Sequence, residues 1–145
     1  MRVTGLHHAG LVVSDLDRSL RFYRDLLGIP LRELVEDGSP TMSKLTGWPD
    51  RVVRIADLEL GGGRVLELIQ RVEHPEAVPA PGTGHIALEV DDVDEAWRRV
   101  TDAGHAARSE PVELTDAGPF WSGATVVYVT DPDGVTVELV QARSA

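Results

Sequence analysis

Two stretches of the chain that lie 77 residues apart have closely similar sequences, and this internal repeat limits the folds open to the chain. "HAGLVVSDLDRSLRFYRD" (8–25) and "HIALEVDDVDEAWRRVTD" (85–102) are identical at seven of eighteen positions. "GRVLELIQ" and "GVTVELVQ" match at an offset of 71, so the first copy is about six residues longer in its middle, where turn-forming residues cluster over 36–50. The chain is therefore expected to contain two copies of one supersecondary unit.

Each copy is predicted to fold as β-α-β-β-β. An alternating, β-rich strand comes first, then an aspartate at the N-cap position of a helix (Asp15 or Asp92), and later a glycine where that helix would end (Gly28 or Gly104). Three more strands are expected in each copy, at about 31–36, 52–60 and 64–71 and at about 106–114, 124–130 and 134–142. The pattern predicts an α+β fold with a first module at 1–72, a Pro- and Gly-rich linker at 73–84 and a second module at 85–145.

Composition narrows the possible partners. A length of 145 residues suits one domain or two small modules that share a core. The net charge of −10 argues against nucleic acid and anionic membranes as partners, because both attract basic patches. No apolar run approaches the roughly 20 residues of a membrane helix, and the N-terminus lacks the pattern of a signal peptide, so a cytoplasmic location is expected. Because the chain has no cysteine, any metal site must use His, Asp or Glu.

The last strand of each copy carries one glutamate, Glu67 or Glu138, inside an apolar run. Burial of an ionised carboxylate is costly unless the group is paired or bound to a metal. Strand parity puts His8 and His85 on the less apolar face of the first strand in each copy. If the copies pair symmetrically, two histidines and two glutamates converge, and a divalent metal would offset the cost. His7 has the opposite parity and is not expected to be a ligand.

Four segments of the chain together resemble the vicinal oxygen chelate superfamily: "GLHHAGLVVSDLDRSLRFYRDLLGIPL", "RVLELIQ", "GTGHIALEVDDVDEA" and "VTDPDGVTVELVQ". This superfamily includes glyoxalase I, methylmalonyl-CoA epimerase, extradiol ring-cleaving dioxygenases, and the fosfomycin and bleomycin resistance proteins. The resemblance covers nearly the whole chain and implies paired modules that form a cup-shaped mixed sheet around one divalent metal ion (Ni, Co, Mn, Zn or Fe). The metal ligands that it implies are His8, Glu67, His85 and Glu138. It also implies a small-molecule substrate and a homodimer, with the site built within one chain or across two.

This ligand set looks most like that of glyoxalase I, with methylmalonyl-CoA epimerase close to it. The resemblance then implies a lyase or isomerase that holds two adjacent oxygens of a small substrate and stabilises an enediolate. Glu138 is nominated as general base and Glu67 as its counterpart, although the residues themselves leave open which glutamate moves the proton. Two alternatives stay open. One is an Fe(II) extradiol dioxygenase, whose three-ligand pattern would not use Glu67, and the other is a small-molecule binding or self-resistance protein without catalysis.

Several further residues are candidates for substrate contacts. Trp48 and Trp121 lie in loop-like stretches near the expected mouth of the cup and could line an apolar pocket. Arg51, Arg54 and Arg108 could bind substrate carboxylates, and Tyr128 on the penultimate strand could donate a hydrogen bond to the substrate. Each of these residues could equally pack against its neighbours or be solvated, so the tertiary structure has to separate these roles.

Overall fold

A computed structural model of the chain describes residues 2, 7–38, 52–78, 85–114 and 123–142. The chain divides into two compact units, Met1–Pro79 and Ala80–Ala145. The boundary falls within the stretch 73–84 that the sequence predicts as a linker. No helix among the described residues is long and apolar enough to span a membrane.

The first unit is a four-stranded mixed sheet with one helical segment. Its elements are strand β1 (His8–Val13), helix α1 (Leu16–Leu20), which continues as a π-helical segment (Arg21–Leu26), and strands β2 (Leu31–Asp37), β3 (Val53–Glu59) and β4 (Val65–Arg71). The strand order is β1-β4-β3-β2, in which β1 and β4 are parallel and the other pairs are antiparallel.

The second unit repeats this topology. Its elements are strand β5 (His85–Glu89), helix α2 (Val93–Asp102), and strands β6 (Val112–Glu113), β7 (Thr125–Thr130) and β8 (Thr136–Gln141). The strand order is β5-β8-β7-β6, again with a parallel pair between the first and last strands of the unit. Two β-α-β-β-β modules are therefore present, and the predicted α+β fold class is confirmed.

The predicted helix caps are also confirmed. Asp15 Oδ1 accepts a hydrogen bond from the Arg18 amide at 2.9 Å, and Asp92 Oδ1 accepts one from the Glu95 amide at 2.8 Å. Such bonds satisfy first-turn N–H groups that have no partner within the helix. At the other end of each helical segment Gly104 has φ +85° and Gly28 has φ +75°, a region that residues with a Cβ rarely adopt.

Each sheet buries one face under its own helix. In the first module the buried residues include Leu66 and Leu68 of β4 and Phe22 and Tyr23 of the helical segment, and in the second module they include Leu139 of β8. Alternation along the strands then presents residues of the opposite parity, Glu67 and Glu138 among them, on the other face. We call this opposite face of each sheet the site face.

One predicted strand, 106–114, is shorter in the structure. Ala107 forms an isolated bridge to β7, and the Arg108 amide still donates to the Tyr128 carbonyl at 2.9 Å. Residues 108–110 form a bend, and regular pairing resumes only at Val112–Glu113. Pro111 has no amide hydrogen to donate to a ladder, which is the physical reason for the interruption. Arg108 therefore stays beside Tyr128 of β7, ahead of the interruption.

Candidate functional site

The second module brings His85 and Glu138 together on its site face. His85 Nε2 lies 3.1 Å from Glu138 Oε2, and the Glu138 side chain is only 10% exposed. Ala87 is the register neighbour of Glu138 on β5, and its small side chain leaves the carboxylate room beside the imidazole. The predicted pair of a histidine on the first strand and a glutamate on the last strand is thus a close contact in this module.

Aromatic and cationic groups surround this pair. Tyr128 is the direct cross-strand partner of Glu138, and its ring meets the His85 ring edge to face, with centroids 5.7 Å apart and planes at 89°. The Arg108 guanidinium carbon lies 5.4 Å from the centre of the Tyr128 ring, and Arg108 Nη2 donates to Thr136 Oγ1 at 2.9 Å. Tyr128 and Arg108 therefore lie beside the His85–Glu138 pair.

The first module carries a looser pair at the equivalent positions. His8 Nε2 is 4.0 Å from Glu67 Oε1, and the Glu67 side chain is 26% exposed. Gly10 lies next to Glu67 in the register of β1 and β4, and a Cβ there would lie 3.7 Å from Glu67 Oε1. His7 Nδ1 and His8 Nδ1 are 2.9 Å apart and share a hydrogen bond, so the other ring nitrogen of His8 is the one that faces Glu67.

Sequence reasoning missed Asp57, which lies opposite Glu67 in the β3–β4 ladder. One of its carboxylate oxygens, Oδ1, is buried and has no hydrogen-bond donor among the residues that the structure describes. Its neighbour on the other side in the register is Glu33 of β2, so three carboxylates occupy one row of the site face. The repeat contained a signal for this position, because the offset of 71 that relates Glu67 to Glu138 also relates Asp57 to Tyr128.

The structure gives Arg54 a role different from the suggested substrate contact. Arg54 is paired in the β3–β4 register with Gln70, which places it on the helix side of the sheet, opposite to the site face. There Arg54 Nη2 donates to Asp17 Oδ1 at 3.0 Å. This hydrogen bond, together with the positive charge of Arg54, holds the pKa of Asp17 below its ordinary value. Arg54 therefore joins the first helix to the sheet.

The remaining three candidates for substrate contacts, Trp48, Arg51 and Trp121, lie outside the described residues.

The donor atoms on the two site faces fit a divalent ion. Each pair offers one imidazole nitrogen and one carboxylate oxygen, the ligands that Zn, Ni, Co, Mn and Fe accept in a chain without thiolates. Within the described parts of the chain, however, no group of three or more His, Asp or Glu side chains could hold a metal ion. Either pair alone thus supplies two ligands, fewer than the four that a typical zinc site has.

Comparison with known proteins shows which protein family the chain belongs to. A family model for the Glyoxalase/Bleomycin resistance protein/Dioxygenase superfamily matches residues 5–139. The chain belongs to this superfamily, and the resemblance drawn from its motifs is confirmed.

Individual relatives show which kind of enzyme within this superfamily the chain is similar to. The chain is 34% identical over 142 residues to the lactoylglutathione lyase of Neisseria meningitidis serogroup A, with 96% of this chain and 91% of that protein covered. It is 32% identical over 143 residues to the lactoylglutathione lyase of Salmonella typhimurium, with 97% and 94% covered. Both relatives are lyases. The prediction that the chain is a glyoxalase-type lyase is therefore confirmed.

Solved structures agree with the fold. A glyoxalase family protein from Bacillus cereus superposes with a TM-score of 0.80 at 21% identity and covers 99% of this chain and 97% of that one. The trypanothione-dependent glyoxalase I of Leishmania major gives a TM-score of 0.68 at 25% identity, with 96% and 87% covered.

Proposed function

We propose that the protein is a metal-dependent lyase that interconverts a thioester of a 2-hydroxy acid with a thiol and a 2-oxoaldehyde, through their hemithioacetal. The observation that carries the proposal is the buried Glu138 at 3.1 Å from His85, in a chain 32–34% identical to lactoylglutathione lyases over nearly its whole length. A buried carboxylate beside an imidazole is costly in a structural role and useful in a catalytic one.

The metal ligands that we propose are His8, Glu67, His85 and Glu138, with both modules contributing to one ion. The pairs come from one chain or from two copies of a homodimer. When bound, a divalent ion would supply Lewis acidity to two adjacent substrate oxygens and so lower the barrier to proton removal from the carbon between sulfur and carbonyl.

The chain's own carboxylates would move the proton. In the hemithioacetal, the carbon that bears sulfur and hydroxyl lies next to the carbonyl carbon, and loss of its proton leaves an enediolate. Return of that proton to the neighbouring carbon, together with transfer of the hydroxyl proton from the oxygen on the sulfur-bearing carbon to the oxygen on its neighbour, produces the 2-hydroxy thioester, with no atom gained or lost overall. A glutamate on the site face accepts and then returns the proton, and we nominate Glu138 because it is the more buried of the two and thus better shielded from water.

The test is thioester formation from glutathione and 2-oxopropanal by the full-length protein. We expect a chelator to abolish activity and one of Ni, Co, Mn or Zn to restore it. Glu138→Gln keeps the size of the side chain and should lower kcat by about 10²–10⁴-fold, and His85→Ala should lower activity by lost metal.

The chain provides a matched control in a third histidine–glutamate pair. His74 Nδ1 lies 3.6 Å from Glu76 Oε1 on an exposed turn outside both sheets. His74→Ala should therefore leave both the metal content and kcat unchanged. Thioester formation that withstands chelation and Glu138→Gln would overturn the proposal, and so would turnover of a catechol by protein holding Fe(II).

A further inference from the structure

A row of contacts on the second site face ends at His85. It begins with the hydrogen bond from Arg108 Nη2 to Thr136 Oγ1 at 2.9 Å, which fixes the guanidinium. The guanidinium then lies over the Tyr128 ring at 5.4 Å, and the Tyr128 ring meets His85 edge to face at 5.7 Å. Each group in the row is thus held by the one before it.

The imidazole of His85 needs such support. Its side chain is 47% exposed, and the ring torsion of histidine has a broad range, so one contact with Glu138 does not fix the ring plane. A perpendicular aromatic neighbour limits rotation of that ring plane, because the edge-to-face geometry is lost when the plane turns. With Tyr128 in place, the ring plane is restrained while Nε2 faces Glu138 Oε2.

The first module lacks this row. At the positions equivalent to Tyr128 and Thr136, which follow from the repeat offset of 71, the chain has Asp57 and Val65. In that module the histidine–glutamate distance is 4.0 Å, against 3.1 Å in the second. His8 has a perpendicular aromatic neighbour too, the ring of the adjacent His7, with centroids 5.1 Å apart and planes at 84°. The close pair therefore occurs where the perpendicular ring lies across the sheet on β7 and carries a guanidinium on its face.

Arg108 is suited to the first place in the row. Arg108 is exposed, and no carboxylate among the described residues lies within salt-bridge distance of it. The plane of its guanidinium can therefore stack on the Tyr128 ring. A guanidinium combines stacking on an aromatic face with a directed hydrogen bond, whereas the ammonium of lysine is a point charge on a flexible chain. The Arg108 amide donates to the Tyr128 carbonyl at 2.9 Å, and this backbone contact places the two residues side by side.

We propose that Arg108 and Tyr128 are positioning residues that hold the imidazole of His85 with Nε2 facing Glu138, so that the second module presents a preorganised pair of metal ligands. The proposal deepens the proposed function, since it rests on His85 being a ligand. It assigns Tyr128 a role through its ring, separate from any hydrogen bond made by its hydroxyl.

The first experiment measures the dissociation constant for Co²⁺, followed by the visible spectrum of the bound ion. Loss of a group that orients a metal-bound histidine weakens binding by about 10–100-fold, and we expect that change for Tyr128→Leu. Tyr128→Phe keeps the ring and should stay within about 3-fold of the wild type, while Arg108→Met should weaken binding by about 3–10-fold, less than removal of the ring itself.

Val126→Ala is the matched control for loss of packing. Val126 lies on the same strand and the same face as Tyr128 and is 7% exposed, but it is paired with Val140 and not with Glu138. This variant should lower the melting temperature and leave Co²⁺ affinity unchanged. Equal weakening of Co²⁺ binding by Val126→Ala and Tyr128→Leu would overturn the positioning role.

A second experiment on metal-free protein separates this proposal from the proposed function. The ring proton signals of His85, identified by their loss in His85→Gln, should carry a ring-current shift that Tyr128→Phe retains and Tyr128→Leu removes. Ring signals that do not respond to Tyr128→Leu would overturn the proposal. If the wild-type protein binds no divalent metal but the ring signals respond as expected, the proposed function fails and the positioning of His85 is supported.

Discussion

Gln70 and Gln141 end the two similar segments of the repeat, and the structure gives both the same task. Gln70 Oε1 accepts a hydrogen bond from the Leu16 amide at 3.0 Å, and Gln141 Oε1 accepts one from the Val93 amide at 2.9 Å. Both glutamines point to the helix side of the sheet, as their parity predicts. Each glutamine thus joins the last strand of its module to the first turn of the helix.

The first prediction concerns the hydrogen bond between the Val93 amide and Gln141. Gln141→Ala removes the acceptor of a first-turn N–H and should lower the free energy of unfolding by about 1–2 kcal/mol, as loss of a helix cap does. Urea denaturation measures the change. Gln141→Glu keeps an oxygen acceptor in the same place and should stay close to the wild type, so equal losses for the two variants would contradict the assigned role.

The second prediction concerns the pH dependence of the contact between Arg54 and Asp17. Because the pKa of Asp17 is lowered in the folded protein, its contribution to stability is present above the unfolded pKa and is lost as pH falls through the folded pKa. In Arg54→Gln the pKa of Asp17 should rise towards 3.8, its ordinary value, and less stability should then be lost in acid. Carboxyl titration by NMR measures this, and a large rise in KM for the same variant would restore Arg54 as a substrate contact.

The third prediction concerns Asp57. Its buried oxygen has no donor among the described residues, and Glu33 and Glu67 lie on either side of it in the register. An unsatisfied buried polar atom and like charges directly opposite both destabilise a sheet. Asp57→Leu should therefore raise the free energy of unfolding by about 1–3 kcal/mol, measured in urea. A fall in stability would mean that Asp57 has a structural partner.

At the scale of elements, the turn between β7 and β8 sets the register of the strand that carries Glu138. Asp131 is buried, and its Oδ1 accepts hydrogen bonds from the amides of Asp133 and Val135, both at 2.8 Å. Gly134 has φ +83°, which closes the turn. Register decides which face each residue of β8 occupies, so the turn also decides that Glu138 lies opposite Tyr128.

The fourth prediction follows from this turn. Asp131→Ala leaves two partly buried amides without their acceptor and should lower the free energy of unfolding by about 1–3 kcal/mol. Asp131→Asn keeps one oxygen and should lose less. Thermal and urea denaturation of the two variants measure this, and an unchanged Asp131→Ala protein would show that water replaces the carboxylate in the turn.

At the scale of the whole molecule, the fifth prediction is that one divalent ion stabilises the folded protein. Ligand binding to the folded state adds about 2.7 kcal/mol at a metal concentration of 100 Kd, so a rise in the melting temperature is expected. Glu67→Gln and Glu138→Gln should each reduce this rise strongly, because both residues are proposed ligands of the same ion. Two ions per chain, each lost with one variant only, would instead indicate two separate sites.

The two-module topology could be predicted from the sequence because local signals encode it. Asp15 and Asp92 cap helices whatever else surrounds them, and alternation of side chains fixes the faces of each strand. The helix-facing glutamines and the site-facing glutamates follow from the same parity. The interruption of 106–114 depends on a proline that breaks pairing inside a stretch otherwise suited to a strand.

The contacts between side chains on different strands were decided only by the tertiary structure. These contacts depend on how the strands are aligned with one another, and the strands are distant in sequence or joined by a turn. Examples are the contacts of Asp57 with Glu67, of Arg54 with Asp17 and of Tyr128 with His85. Parity states which face a residue occupies but not its neighbours on that face, because these depend on register and on side-chain rotamers. The sequence by itself thus determined the repeat, the fold class and the four candidate ligands. Only the tertiary structure decided that Arg54 binds Asp17 at the first helix and that Arg108 and Tyr128 lie beside His85.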